Sequence, residues 1–441
     1  MIEKYLVKKI TEPVDWKVTV PGSKSMTNRA LLMAVLSAGT VRVEGVLFSD
    51  DSRHFLACLV ALGFTVEIEE EKKCVTVTGC GGRIPRGEAV IDVGSAGTAA
   101  RFLAAMLGFS DGCYEIRCSA QMKRRPMAEL FDLLSGAGAK ITFLEEEGHL
   151  PVCITGCRYA RADKTAGETP RELSLDITKS TQFLSALLLI APMVPEGMKI
   201  HITSEKTDGS YIRITRKMMQ EFGVSVAFDG RDYEVPCRSS YQKETYMVEP
   251  DMSAACYFYA AAAVTGGRAL VRHVHMDNTQ GDLRFLEVLE HMGCTVDDTP
   301  EGVLVTGPAD GALRGITVNM NDFSDQALTL AAIAPFADAP VRIEGIGHIR
   351  GQECDRIHAI QTNLTALGIR CEEEETAATI YPGSPHGGSV ETYDDHRVAM
   401  AFSLVGLRTD GIVIENPACC RKTFENYFTV LSELTGKKTE A

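Results

Sequence analysis

One short phrase returns along this 441-residue chain, and it limits the possible folds more than any other feature. An apolar helix tail meets a glycine and then a strand-like run. It reads LVALGFTVEIE around Gly63, LLSGAGAKITF around Gly138, MMQEFGVSVAF around Gly223, LEHMGCTVDD around Gly293 and LTALGIRCEEE around Gly368. A glycine just past a helix suits a left-handed C-cap, and the alternating run after it suits a half-buried strand. The glycines lie roughly 70–85 residues apart, as repeats of one α/β unit would. A sixth helix tail, VLSELTG, ends at Gly436 with no strand after it. The run Tyr5–Ile10 can supply that strand by returning from the start of the chain. The ends of the chain (residues 1–20 and 248–441) then form one domain and its middle (21–247) another. Two crossings join them, near Val20–Gly22 and Tyr246–Asp251. The length also favours more than one core, and a double hinge gives a cleft that can close and exclude water.

Composition narrows the chemistry. The start, MIEKYLVKKITEPVDW, has no apolar run suited to a signal peptide, and stretches such as Leu184–Pro192 fall short of a membrane span. The fourteen cysteines are therefore expected to be reduced thiols in a cytoplasmic protein. Their spacing completes no zinc set, so no metal is expected. A formal charge of −14 argues against nucleic-acid or membrane partners. It does not exclude anionic small molecules. Distant charges are screened beyond about 8 Å, so local clusters decide what binds.

Such clusters recur at strand-to-helix junctions. In VTVPGSKSMTNRALLMAVLSAGT, Lys24 and Ser25 sit at a helix start, where free N–H groups favour an anion, and Arg29 follows one turn on. In IDVGSAGTAARFL, Gly94 and Gly97 permit close backbone approach before Arg101. QMKRRPM places Lys123, Arg124 and Arg125 in a loop beside an element end. Ser180, Thr181 and Gln182 precede a very apolar helix, and an N-cap accounts for one of them. The second half adds Asp325 near a helix start, then Arg350, Glu353, Asp355 and Arg356. Asp394, Asp395, His396 and Arg397 follow, then Arg421 and Lys422. Charged turns at equivalent ends of a repeated unit suggest one shared, anion-binding cleft.

Taken in order, PGSKSMTNRALLMAVLSAGT, GSAGTAAR, KRRPM, STQFLSALLLIAP, DRIHAI, DDHRVAMAFSL and KTF resemble the EPSP synthase family from about residue 12 to 430. The resemblance implies two pseudo-symmetric α/β domains, each of three βαβαββ units, an inside-out α/β barrel. It implies transfer of the enolpyruvyl group of phosphoenolpyruvate to the 5-hydroxyl of shikimate 3-phosphate by addition and elimination, without a cofactor. It further implies a monomer with these small molecules as partners. Carried onto matching positions, Lys24 contacts both substrates. Ser25 and Arg29 hold the shikimate ring and its carboxylate. Ser180, Thr181 and Gln182 take the shikimate phosphate region, and Gln182 also reaches phosphoenolpyruvate. Ser95, Gly97, Arg125, Arg356, Arg397 and Lys422 surround phosphoenolpyruvate, whose oxygens suit guanidinium forks. Asp325 takes the 5-hydroxyl proton, and Glu353 delivers one to the methylene carbon.

Several positions depart from the family pattern. Ser95 stands for a frequent Asn, Phe102 for a Pro, His348 for an Asn and Gln352 for the Lys of the KE(S/T)DR motif. The segment SEKTDGSYIRIT is long for its place, leaving Ser204 or Ser210 as the phosphate ligand, with Ser204 favoured. A UDP-N-acetylglucosamine enolpyruvyl transferase would have Asn after Lys24 and Cys at position 120, where this chain has Ser25 and Ala120. An RNA-binding protein on similar units would need a basic-aromatic stripe. A non-catalytic metabolite binder remains the third alternative.

Overall fold

In the computed structural model, residues 3–157, 169–309 and 311–436 are described. The chain divides into two units, Met1–Pro21 with Pro250–Ala441, and Gly22–Glu249. Each has its own hydrophobic core.

One motif builds most of both units. Strand Glu88–Asp92 leads through a helix to the parallel strand Cys113–Arg117. A second helix leads to Lys140–Phe143, which turns back as Val152–Thr155 and inserts between its predecessors. The resulting order of first, second, fourth and third strand recurs in Arg171–Leu175, Met198–Ile202, Asp232–Val235 and Ala227–Phe228. It recurs again in Thr317–Asn319, Val341–Glu344, Ala378–Ile380 and Cys371–Glu373. This is the βαβαββ unit. The five glycines of the repeated phrase end its second helix with φ of 93°, 99°, 90°, 104° and 83°.

Two of the remaining sheets exchange their first strands along the sequence. Asp15–Val18 runs parallel to Arg268–Arg272 of its own unit, although Gly22–Glu249 intervenes. Thr245–Met247 likewise runs parallel to Thr40–Glu44. Each crossing therefore replaces the link between a first strand and its helix. The sixth sheet takes its last strand from the other end of the chain, since Lys4–Leu6 pairs antiparallel with Ile412–Glu415. This strand is shorter than the run Tyr5–Ile10. Past it, Val7 N–H bonds to the Ile412 carbonyl and Ile10 N–H to Leu407 in the helix His396–Arg408.

The helix after each first strand is buried on nearly every side. In Gly22–Glu249 these are Lys24–Leu36, Gly97–Gly108 and Thr181–Ile190, which pack on one another. In the other unit they are Met252–Thr265, Ala327–Ile333 and His396–Arg408. A helix satisfies its own backbone, so it can be buried whole if its side chains are apolar all round. The run YFYAAAAV does this, its alanines allowing close approach. The strands alternate, as in the exposed–buried pattern of Asp15–Val18, and so cover the helices with one face and meet water with the other. The starts of the buried helices carry most of their charged side chains, while mid-helix polar groups such as Ser403 find a partner in the core, here Tyr427 at 2.9 Å.

The C-cap glycines can be tested where space is not limiting. An added methyl at Gly223 would find its nearest neighbour 3.9 Å away, in Gln242, so only backbone strain opposes it. Gly223→Ala is expected to cost about 1–2 kcal/mol, read as an earlier urea transition. An unchanged midpoint would mean that the left-handed cap carries no strain.

Candidate active site

The starts of the three buried helices in Gly22–Glu249 are tied together. Asn28 Nδ2 donates to Thr98 Oγ1 at 2.6 Å, and Arg101 Nη1 donates to Gln182 Oε1 at 3.0 Å. Lys24 opens its helix with Nζ 3.3 Å from the buried Asp51 carboxylate. Arg101 also donates to the Gly97 and Pro126 carbonyls, at 3.3 and 3.1 Å. It thereby fixes the turn that carries Arg125. Arg125 itself is buried, and a methyl at Gly97 would lie 2.7 Å from Nη1 of both Arg101 and Arg125. Only glycine lets two guanidinium groups close over that helix start. Lys123 leaves the group for a surface ion pair with Glu145 and sits in a short helix, Ala120–Lys123, where the sequence suggested a loop.

Ser180 Oγ accepts from Gln182 N–H at 3.2 Å, so it is the cap among the three polar residues before that helix. Thr181 and Gln182 form the first turn and are half-buried. Ser204 Oγ donates to the Lys206 carbonyl at 2.9 Å and accepts from Ile177 N–H at 3.2 Å, so its one proton serves its own loop. Ser210 opens the helix Ser210–Glu221. Ser25 and Ser95 are half-buried at the first residues of their junctions.

Arg29 is 1% exposed. It donates to Thr215 Oγ1 at 2.8 Å, to the Ser25 carbonyl at 2.8 Å, and to Ser185 Oγ and the Tyr211 carbonyl at 3.3 Å. The Phe102 ring lies 5.2 Å from its guanidinium carbon, within cation–π range. The departure at position 102 thus packs against Arg29. Burial lowers the Arg29 pKa to about 10, against smaller upward effects of Tyr211 and Tyr246.

The other unit gathers more charge. Arg356 is buried and donates to three carboxylates: Asp395 at 2.8 Å, Glu353 at 2.8 Å and Asp325 at 3.0 Å. Burial alone would lower its pKa, but Asp395, Glu353 and Asp325 outweigh that and raise it. Arg397 Nη2 reaches the other Asp325 oxygen at 2.8 Å, and Lys422 Nζ the other Glu353 oxygen at 3.1 Å. Asp325 and Glu353 are therefore each bridged between two cations, with Arg356 in common. Asp395 also caps the helix His396–Arg408 through Arg397 N–H. His348 Nε2 lies 2.8 Å from Ser324 Oγ, beside Asp325. Gln352 is half-buried between the turn Gly347–Gly351 and Glu353.

The charged residues thus separate by environment. Arg350 pairs with Asp355 and Glu373 nearer the surface, and Asp355 caps the helix Arg356–Ala366. Asp394 bonds to Asn416. Two participants escaped the sequence reading. Asp51, beside Lys24, lies in SDDSR, which reads as an ordinary acidic helix start. Asp282 lies in QGDLRF, a plain turn, yet is buried against Ser253 and Gln326. No cluster of three or more His, Cys, Asp or Glu able to hold a metal occurs among the described residues. No helix among them is long and apolar enough to cross a membrane.

Comparison with known proteins gives consistent results. The family model described as EPSP synthase (3-phosphoshikimate 1-carboxyvinyltransferase) matches residues 8–431. The chain is 41% identical to the 3-phosphoshikimate 1-carboxyvinyltransferase of Trichormus variabilis, covering 97% of this chain and 98% of that one. It is 40% identical to that of a Sulfurovum species, over 96% and 97%. Its structure is similar to EPSP synthase of Acinetobacter baumannii, with a TM-score of 0.78 at 25% identity over 98% and 97% of the chains. It shares the fold of the enolpyruvyl transferase NikO of Streptomyces tendae, with a TM-score of 0.72 at 17% identity over 98% and 97%.

Arg356 is the cation that the three carboxylates share. Arg356→Met leaves them without it in a dry site, and removing one partner from such a network costs about 3–5 kcal/mol. The expected result is a large fall in the denaturation midpoint. A fall below about 1 kcal/mol, the worth of a surface pair, would mean that the network does not stabilise its unit.

Proposed function

The chain belongs to the EPSP synthase family, and on that premise we propose how its side chains divide the reaction. The enzyme transfers the enolpyruvyl group of phosphoenolpyruvate to the 5-hydroxyl of shikimate 3-phosphate and releases phosphate. The observation that carries the assignment is the bridging of Asp325 and Glu353 by Arg356, Arg397 and Lys422.

Shikimate 3-phosphate is assigned to Lys24, Ser25, Arg29, Ser180, Thr181, Gln182 and Ser204, with Asp325 and Gln352. Ser204 must give up its bond to the Lys206 carbonyl to donate to a phosphate. Phosphoenolpyruvate is assigned to Lys24, Ser95, Gly97, Arg125, Gln182, Arg356, Arg397 and Lys422. Support comes from the donors themselves. Guanidinium groups bind carboxylate and phosphate in forked pairs, and Arg125, Arg356 and Arg397 are already buried.

The carboxylates serve as acid and base. In the addition step Asp325 accepts the 5-hydroxyl proton while that oxygen bonds to C2 of phosphoenolpyruvate. Glu353 delivers a proton to the methylene carbon, which becomes a methyl group, giving a tetrahedral phospho-lactoyl adduct. Elimination returns a methyl proton to the Glu353 carboxylate, which gave one up in the addition, as the C–O bond to phosphate breaks. Both oxygens of Glu353 accept from cations as arranged here. An incoming phosphate and carboxylate compete for Arg356 and Lys422, and so free Glu353 to carry its proton. The same competition frees Asp325 from Arg397. Work in the cytoplasm as a monomer belongs to the same proposal.

The test is phosphate release from phosphoenolpyruvate with shikimate 3-phosphate in the presence of EDTA. Release only with UDP-N-acetylglucosamine, or none, would overturn the assignment. Asp325→Asn is expected to lower turnover about 10²-fold or more, the usual worth of a positioned base, while shikimate 3-phosphate binding stays measurable by calorimetry. Full turnover would exclude Asp325 as the base.

A further inference from the structure

Behind Asp325 lies a second carboxylate that the assignment above does not use. Asp282 sits in the turn Gly281–Arg284 and is buried. One of its oxygens, Oδ2, accepts two bonds. Gln326 Nε2 donates to it at 3.0 Å, and the Ser253 hydroxyl makes a very short contact with it. Gln326 is the residue after Asp325, and Thr329 Oγ1 holds its carbonyl oxygen at 2.9 Å. Ser253 accepts from Arg397 Nη2 at 3.4 Å, and that same nitrogen donates to Asp325 Oδ2 at 2.8 Å. Asp282 therefore reaches Asp325 by two routes, through its neighbour Gln326 and through Ser253 and Arg397.

We propose that Asp282 is a positioning residue for the transfer reaction, one that holds Arg397 and Asp325 in register through Ser253 and Gln326. The inference rests on the assignment of Asp325 as base. A hydroxyl has one proton. With that proton committed to Asp282, the lone pairs of Ser253 face Arg397. Arg397 then has a fixed acceptor on one side and Asp325 on the other. When substrate anions draw Arg397 away from Asp325, the bond to Ser253 limits how far it moves, and Gln326 keeps the Asp325 backbone in place. Asp282 is held by these polar contacts and, among the described residues, by no cation bonded directly to it. A buried anion so placed also favours a proton on its neighbour. The Asp282 pKa is raised to about 6, by burial first and the Asp325 charge second, against the lowering effects of Arg397, Ser253 and Gln326. The ionisable groups facing Asp282 are Asp325, Arg397 and Cys256, whose thiol lies 3.7 Å from the Asp282 carbonyl. Asp251, the cap of the helix Met252–Thr265, acts on Cys256 in turn.

Three variants test the role: Ser253→Ala, Asp282→Asn and the double variant. Ser253→Ala cuts the route to Arg397 without leaving an unpaired group of its own. Asp282→Asn keeps an acceptor oxygen and removes the charge. In steady-state phosphate release, each single variant is expected to lower kcat about tenfold and to raise KM for phosphoenolpyruvate. KM for shikimate 3-phosphate is expected to stay within about twofold, a split that general loosening of the unit would not give. The double variant is expected to lose no more than the worse single, because the two residues act as one device. Wild-type activity with unchanged kcat in Ser253→Ala and Asp282→Asn would overturn the positioning role alone. Equal rises in both KM values, or independent losses in the double variant, would overturn it too. No phosphate release from the wild type would overturn the underlying assignment and this role together.

Discussion

Arg356 donates to three carboxylates from a site that water barely reaches, and the surrounding unit is arranged around that fact. Burying a guanidinium costs several kcal/mol unless its hydrogen bonds and its charge are both met. Asp395, Asp325 and Glu353 meet them from three different junctions. Asp395 comes from a helix cap, Asp325 from the turn before Ala327–Ile333, and Glu353 from just before the Arg356 helix itself. Arg397 and Lys422 then balance the excess negative charge. The network is neutral as a set and holds several elements in one geometry. An anion entering it must displace a carboxylate from a cation, and each displaced carboxylate gains the freedom to take a proton. Binding and acid–base chemistry are thus two descriptions of one exchange.

The βαβαββ unit explains why so much polar chemistry sits at the ends of such apolar helices. In a helix buried on every side a mid-helix polar group needs a partner in the core, as Ser403 has in Tyr427, whereas the termini also offer free backbone groups. The starts of the buried helices are also where free N–H groups favour anions. In Met1–Pro21 with Pro250–Ala441, Ser253, Asp325 and Arg397 stand at or just before three such starts, and Arg397 links all three. In Gly22–Glu249, Asn28 to Thr98 and Arg101 to Gln182 link the equivalent starts. Repetition of the fold repeats the place where function can be built, though not the residues that build it.

The repeat was legible because a left-handed C-cap selects glycine and a half-buried strand selects alternation. Gly63, Gly138, Gly223, Gly293 and Gly368 all carry the positive φ that their place in the phrase suggested. The charged turns were legible for the same local reason. Three features were not. Exchange of first strands by Asp15–Val18 and Thr245–Met247 depends on which sheet edge accepts a strand, and no residue pattern in a three- or four-residue run encodes that. Nor did the turns rank their own charges. Lys123, Arg124 and Arg125 are adjacent in sequence, yet Lys123 makes a surface pair while Arg125 is buried against Gly97. Asp282 was invisible because a buried acid is recognised by its surroundings, and QGDLRF has the composition of a solvated turn.

Two of the fully buried arginines, Arg29 and Arg356, separate structural need from stored capacity. Arg356 is matched by carboxylates and its pKa is raised, whereas among the described residues Arg29 has neutral partners only: two hydroxyls, two carbonyls and the faces of Phe102 and Tyr211. Its hydrogen bonds are largely met but its charge is not, which is why burial alone pulls it down to about 10. A buried charge without a counter-ion is held at a cost that packing elsewhere must offset, and an arriving carboxylate removes that cost. The role given to Arg29 toward the shikimate carboxylate therefore has a physical basis in this chain that differs from that of Arg356. Arg356 exchanges one anion for another and gains little net charge energy, so it serves the chemistry. Arg29 gains a counter-ion it lacked, so it serves binding. Phe102 strengthens that distinction, since an aromatic face stabilises the guanidinium without neutralising it and leaves the charge available to the ligand.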